Sequence, residues 1–141
     1  MLTEPPVGTK IGVTAANAAG NSVIEDIGGG HYVGYAHLVP GSIPASVRVG
    51  ARLGTGELIG RLGNSGNSDA PHLHFQVMDS PSFLDATGLP FVFDTQLLEG
   101  TVVPQGDPVS GFPIDRTGAG LQRNRMPVKL QVFGYNLSSS R

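Results

Sequence analysis

The feature that most limits how this chain can fold is the close spacing of glycine and proline along it. Its 141 residues include 21 Gly and 11 Pro, which divide the apolar residues into runs too short for long helices. In the segment 47–68 short apolar pieces alternate with Gly50, Gly54, Gly56, Gly60, Gly63 and Gly66. Glycine at this density is typical of tight turns and close backbone approaches. The sequence therefore predicts one all-β domain with a loosely attached tail.

A triple glycine at residues 28–30 separates two strand-like runs. Because glycine adopts positive φ at little cost, this linker predicts a β-hairpin. A period of two along the second strand places His31, Val33, Tyr35 and His37 on one face. His31, next to the turn, is predicted to face solvent.

The segment PHLHFQVM, residues 71–78, has the clearest strand alternation in the chain. One face carries His72, His74 and Gln76, and the other carries Leu73, Phe75 and Val77. The apolar face can enter a core while both imidazoles face a cleft. Further strands are predicted within FVFDTQLL, residues 91–98, and PVKLQVFGYNL, residues 127–137.

Composition argues against several functional classes. Charged residues are 14% of the chain, the formal net charge is −2, and the nine Lys and Arg form no dense block, so we expect no nucleic-acid partner. The absence of cysteine excludes disulfides, thiolate zinc sites and cysteine nucleophiles. Neither a leader peptide nor an apolar run of about 18 residues is visible, so we expect no membrane span.

His72 and His74 lie at i and i+2 of a predicted strand, about 6.5 to 7 Å apart along one face. Both can address one cleft, either as two metal ligands or as one ligand and one proton-transfer group. Zinc sites use imidazole and carboxylate donors, and catalytic sites keep one position open for water. The same spacing also occurs on ordinary exposed strand faces. His37, in YAHL, is by itself more typical of a structural histidine.

Taken in order, the segments GNSVIEDIGGGHYVGYAHL, VRVGARLGTGELIGRLGNSGNS and PHLHF resemble the C-terminal half of the lysostaphin and LytM-like zinc metallopeptidases. The resemblance runs from about Gly20 to Met78 and continues more weakly to about Asp94. It implies a small antiparallel β-sheet or β-sandwich of the LytM-like, duplicated-hybrid-motif type that lacks its N-terminal strands.

This resemblance also implies a function, the hydrolysis of peptide bonds in bacterial peptidoglycan, often at glycine-containing links. By motif, His74 resembles a Zn²⁺ ligand, and His37 and His72 resemble the two catalytic histidines. Tyr35 is a weaker candidate for substrate contact. In such a site zinc polarises the scissile carbonyl and activates water, and a histidine takes a proton or stabilises the oxyanion. The expected location is extracellular, periplasmic or cell-wall associated.

One part of the family pattern is missing from this sequence. The family's other two zinc ligands belong to a His-x-x-x-Asp motif on preceding strands, whereas before Asn21 this chain has no histidine and one carboxylate, Glu4. One imidazole is a poor zinc site, because protein sites supply three or four ligands. Three explanations stay open. The chain is a fragment that starts at an internal methionine, which we favour; it is a degenerate member that binds cell wall or regulates another hydrolase; or a carboxylate such as Asp69 or Asp79 rebuilds the site.

We therefore predict three regions along the chain. Residues 1–20 form an irregular N-terminal segment, residues 21–98 form a partial peptidase domain, and residues 99–141 form a turn-rich extension with a possible last strand. The glycine-spaced VRVGARLGTGELIG is also similar to the hairpin of biotinyl and lipoyl carrier domains. No lysine sits in the tight turn that a carrier domain needs, so this interpretation ranks below the peptidase.

Overall fold

The computed structural model describes residues 14–105 and 112–134, and nearly all of their regular structure is β. The strands are β1 (Asn21–Gly28), β2 (His31–Leu38), β3 (His74–Met78), β4 (Phe93–Val102), β5 (Ile114–Asp115), β6 (Gly120–Arg125) and β7 (Gln131–Gly134). A 3-10 helix at Ala15–Asn17 precedes them, and residues 1–13 of the predicted irregular segment lie outside the described residues. The all-β prediction is confirmed. No helix among the described residues is long and apolar enough to cross a membrane.

The chain divides into two compact units, Met1–Leu89 and Pro90–Arg141. The first contains a three-stranded antiparallel sheet in the order β1-β2-β3. β1 and β2 form the predicted hairpin, and Gly28, Gly29 and Gly30 have φ of 86°, 65° and 77°. L-residues with a side chain rarely adopt such angles, so the triple glycine accounts for the turn. Among the described residues β1 pairs with β2 alone and forms one edge of this sheet.

The core of the first unit lies along the middle strand. Val33, Ala36 and Leu38 of β2 and Met78 of β3 are at most 7% exposed. Gly34 allows the ring of Phe83 to approach β2, because a Cβ at this position would overlap that ring. The loop after β3 therefore covers one face of the sheet next to His74.

In the second unit β4 is the central strand. It pairs antiparallel with β5, β6 and β7, and its Leu98 is buried. The predicted strand at residues 91–98 is found as β4, and the predicted last strand is found as β7. The division between the units, after Leu89, comes before the domain boundary predicted after residue 98, and β4 consequently lies with the C-terminal extension.

Candidate functional site

Three of the four histidines meet at one end of the three-stranded sheet. His37 lies near the end of β2, His74 begins β3, and His72 forms an isolated bridge with Gly63. The ring centroid of His37 is 4.8 Å from that of His72 and 5.7 Å from that of His74. His31, at the start of β2, is exposed as predicted. The structure therefore brings together the three histidines that the sequence resemblance selected.

The backbone at His37 departs from regular strand geometry. Its φ is 62°, a left-handed conformation that is uncommon for a residue with a side chain. Ala36, His37 and Leu38 are all buried in succession, whereas a regular strand would alternate between its faces. The positive φ redirects the His37 ring towards the other two imidazoles.

Tyr35 lies on the opposite face of the sheet from His74. It pairs with Phe75, while Ala36 pairs with His74, and neighbouring residues of a strand point to opposite faces. The prediction that Tyr35 and His37 share one face is therefore wrong, because the strand period does not continue through the left-handed residue.

The contacts of Tyr35 are those of a packed side chain. Its ring meets that of Phe75 edge to face at 5.5 Å, and its hydroxyl donates to Oε2 of Glu25 at 3.2 Å. Burial, and then the charge of Glu25 and the hydrogen bond to it, raise the pKa of Tyr35 to about 12. The role of Tyr35 in substrate binding stays a prediction, now on the face away from the three imidazoles.

Backbone carbonyls fix two of the three imidazoles. Nδ1 of His37 lies 2.8 Å from the carbonyl oxygen of Ser65, and Nδ1 of His72 lies 2.8 Å from that of Ala70. A carbonyl oxygen only accepts hydrogen bonds, so each Nδ1 carries a proton. In the neutral ring the lone pair then lies on Nε2, which can accept a proton.

His74 forms its hydrogen bond through the other ring nitrogen, Nε2. Its Nε2 lies 3.0 Å from Oε1 of Gln76, two residues along β3 on the same face. Nε2 donates in this pair, so the lone pair of the neutral ring lies on Nδ1. The ring of Phe83 stands perpendicular to that of His74 at 5.7 Å. The three imidazoles therefore differ in the ring nitrogen that carries the proton, which is Nδ1 in His37 and His72 and Nε2 in His74.

A cavity of about 350 Å³ opens beside His37 and His74. Small residues of the segment 15–20 line one side of it, and Ser82, Phe83 and Leu84 line another. A volume of this size lies in the range of small-ligand sites. The cavity can therefore admit part of a peptide next to both imidazoles.

The described residues do not fit a complete zinc site. Such a site needs three or four protein donors, and among residues 14–105 and 112–134 no group of three or more His, Cys, Asp or Glu could hold a metal ion. Asp69 is exposed, and Oδ1 of Asp79 accepts a hydrogen bond from the backbone N–H of Thr87 at 2.7 Å. A site rebuilt from either carboxylate is thus not found within this part of the chain.

Sequence reasoning missed Ser65 and Ser68, which the structure places against the histidines. Ser68 Oγ lies 3.2 Å from Nδ1 of His72, and Ser65 presents its carbonyl to His37. The repeated Gly-Asn-Ser of residues 63–68 was the available signal. It indicates a turn, but not which histidines that turn will meet. We call residues 63–70, GNSGNSDA, the serine loop.

Comparison with known protein families gives one finding. A family model with the description Peptidase family M23 matches residues 7–86, more than half of the chain. The matched range includes His37, His72 and His74, together with the whole serine loop. No curated protein and no solved structure matches the chain.

Proposed function

Since this chain belongs to peptidase family M23, we propose that it carries the C-terminal half of the catalytic domain of a zinc-dependent peptidase of bacterial peptidoglycan. Membership of this family supports a peptidase-type function. The observation that carries the more specific proposal is the convergence of three imidazole rings, with the centroids of His72 and His74 at 4.8 and 5.7 Å from that of His37. Two of these rings, His37 and His74, line a cavity within the matched range. Peptide hydrolysis needs groups of this kind to move protons.

In this proposal His37 and His72 transfer protons during hydrolysis. Each holds a lone pair on Nε2 when neutral, so either can accept the proton of the water that adds to the scissile carbonyl. When the C–N bond breaks, the protonated imidazole can return that proton to the leaving amine. His37 is buried and His72 is exposed, so His72 is the one that exchanges protons readily with solvent.

In this proposal His74 is a zinc ligand and the remaining ligands lie outside this sequence, because residues 1–13, 106–111 and 135–141 contain no histidine. We infer that they belong to a His-x-x-x-Asp motif on a strand next to β1. Among the described residues β1 pairs with β2 alone, and its Ile24 and Ile27 are 36% and 52% exposed, so this edge can accept a further strand.

The test compares this chain with the same protein extended upstream in its own reading frame. We expect the chain alone to hold well under one zinc per molecule after dialysis. The extended protein, with a His-x-x-x-Asp motif, should hold one zinc and release new amino groups from purified peptidoglycan. Stoichiometric zinc in the chain alone would contradict the inference of missing ligands. An extended protein that binds zinc but releases no amino groups from peptidoglycan would contradict the proposed substrate.

Two substitutions in the extended protein test the division of roles. His72→Ala should abolish hydrolysis and leave the zinc bound, whereas His74→Ala should lose the metal. His31→Ala is the matched control, because His31 is exposed at the start of β2, and it should change neither quantity. Equal loss of metal from His72→Ala and His74→Ala would show that the assigned roles are wrong.

A second candidate function is a non-catalytic module that binds cell wall or regulates another hydrolase. The lack of a three-donor metal group among the described residues favours it. Sedimentation with purified peptidoglycan separates the two proposals, since this module would bind the polymer without releasing amino groups from it. Both place the protein at the cell wall, in the periplasm or outside the cell.

A further inference from the structure

We propose that the serine loop is a positioning element that sets the tautomers of His37 and His72 through Ser65 and Ser68. The loop supplies both carbonyl oxygens that meet Nδ1 of these rings, from Ser65 and from Ala70. The use of the two Nε2 lone pairs as bases rests on the proposed function. The tautomers themselves follow from the hydrogen bonds and can be measured without metal or substrate.

Ser65 holds in place the carbonyl that faces His37. Its hydroxyl donates to the carbonyl of Leu38 at 2.6 Å and accepts from the backbone N–H of Asn21 at 3.0 Å. These two bonds tie the loop to the end of β2 and the start of β1. Ser65 is only 8% exposed, so water is largely kept from replacing them.

Ser68 holds in place the carbonyl that faces His72. Its hydroxyl donates to the carbonyl of Ala70 at 2.9 Å and lies 3.2 Å from Nδ1 of His72. The same Ala70 carbonyl accepts from Nδ1 at 2.8 Å. The backbone N–H of His72 donates to Gly63 at 3.0 Å, so the loop holds both the ring and the main chain of this histidine.

Close backbone contact with residues 18–20 keeps the loop in place. The N–H of Asn67 donates to Ala18 at 2.7 Å. Gly66 has φ of 73°, and a Cβ there would overlap the Ala18 carbonyl oxygen and the Gly20 nitrogen. The N–H of His37 donates to Ala19 at 2.9 Å, so the same segment orients the main chain of His37. These contacts fix the Ser65 carbonyl before any substrate arrives, and the Ser68 hydroxyl holds the Ala70 carbonyl at the other end of the loop.

This arrangement decides where each imidazole can act as a base. With the proton on Nδ1, only Nε2 of the neutral ring accepts a proton. In the alternative tautomer a hydrogen would occupy Nε2, and that nitrogen could not accept a proton from water. Ser65 and Ser68 are positioning residues in this scheme, since they act through the histidines.

Long-range proton–nitrogen NMR of the ring nitrogens tests the proposal directly. The spectra are recorded in alkaline solution, in which free imidazole is neutral. We expect Nδ1–H for His37 and His72, Nε2–H for His74, and a mixture for the exposed His31. An Nε2–H form for either His37 or His72 overturns the proposal.

Serine substitutions then test the assignment of the two residues. Ser65→Ala should shift the tautomer ratio of His37 about fivefold, the effect of losing one ordinary hydrogen bond. The ratio of His72 should stay unchanged. Ser68→Ala should shift the tautomer ratio of His72 and leave that of His37 unchanged. This second variant provides the test if Ser65→Ala does not fold. Ser65→Thr and Ser68→Thr, which retain the hydroxyl, should restore the original ratios.

Ser42→Ala is the matched control. Its hydroxyl accepts from the N–H of Arg61 at 3.0 Å, and its loss should leave both tautomer ratios as they were. Equal shifts at both histidines, or no shift at either, would overturn the assignment of Ser65 and Ser68. These spectra need neither zinc nor peptidoglycan, so an inactive extended protein would refute the peptidase proposal without affecting the tautomers.

Discussion

Different interactions stabilise the serine loop and the middle of the three-stranded sheet. In the loop the contacts are backbone hydrogen bonds, serine hydroxyls and glycines that allow close approach, as at Gly66. In the sheet the contacts are packed side chains, with Met78 fully buried and Val33 7% exposed. His37 and His72 are therefore positioned by backbone contacts, while apolar packing stabilises the sheet beside them.

Gly66→Ala should give the largest loss of stability. The substitution combines a left-handed φ with overlap against the backbone of residues 18 and 20, so we expect the free energy of unfolding to fall by about 4 kcal/mol. Urea denaturation measures it. Gly56→Ala is the control, because Gly56 has φ of 82° and nothing within 4 Å of the added Cβ, and it should cost about 1 kcal/mol. Equal losses of stability in the two variants would show that the close backbone approach at Gly66 adds nothing to the cost of its left-handed φ.

Met78→Ala tests how much apolar packing stabilises the three-stranded sheet. Met78 is 0% exposed, so truncation should lower the free energy of unfolding by about 3 kcal/mol through lost burial and a residual cavity. Leu73→Ala, at a side chain that is 42% exposed, should cost less than about 1 kcal/mol. A small effect at Met78 would mean that the sheet, like the loop, depends mainly on its backbone.

Tyr35 provides the smallest and most specific effect, a change of stability with pH. Its pKa is raised from 10.0 to about 12 in the folded chain by burial and by Glu25. The folded state therefore favours the neutral phenol, and its stabilisation is complete below about pH 10 and is lost as the pH rises towards about 12. In Tyr35→Phe the free energy of unfolding should fall less steeply between about pH 10 and about pH 12.

Tyr32→Phe is the matched control for this prediction, because it leaves the hydrogen bond between Tyr35 and Glu25 in place. Unfolding curves at several pH values compare the two variants with the unchanged chain. If Tyr35→Phe and the unchanged chain lose stability in parallel above about pH 10, the phenol of Tyr35 does not contribute to the pH dependence.

Much of the fold and of the site could be predicted because the signals are local. The triple glycine predicted the β1–β2 hairpin, and the alternation in PHLHFQVM predicted that His74 and Gln76 share a face. The convergence of His37 with His72 and His74 followed from a family resemblance. The face of Tyr35 was predicted wrongly, because nothing in the residues around His37 signals a left-handed conformation.

By itself, the sequence determined an all-β chain with three histidines suited to one site, since strand period and glycine turns depend on neighbouring residues. It also determined that no histidine precedes Asn21. Only the tertiary structure decided which nitrogen of His37 carries the proton. That choice depends on the carbonyl of Ser65, 28 residues away from His37 along the chain, and a contact at that separation exists only once the serine loop has folded against β2.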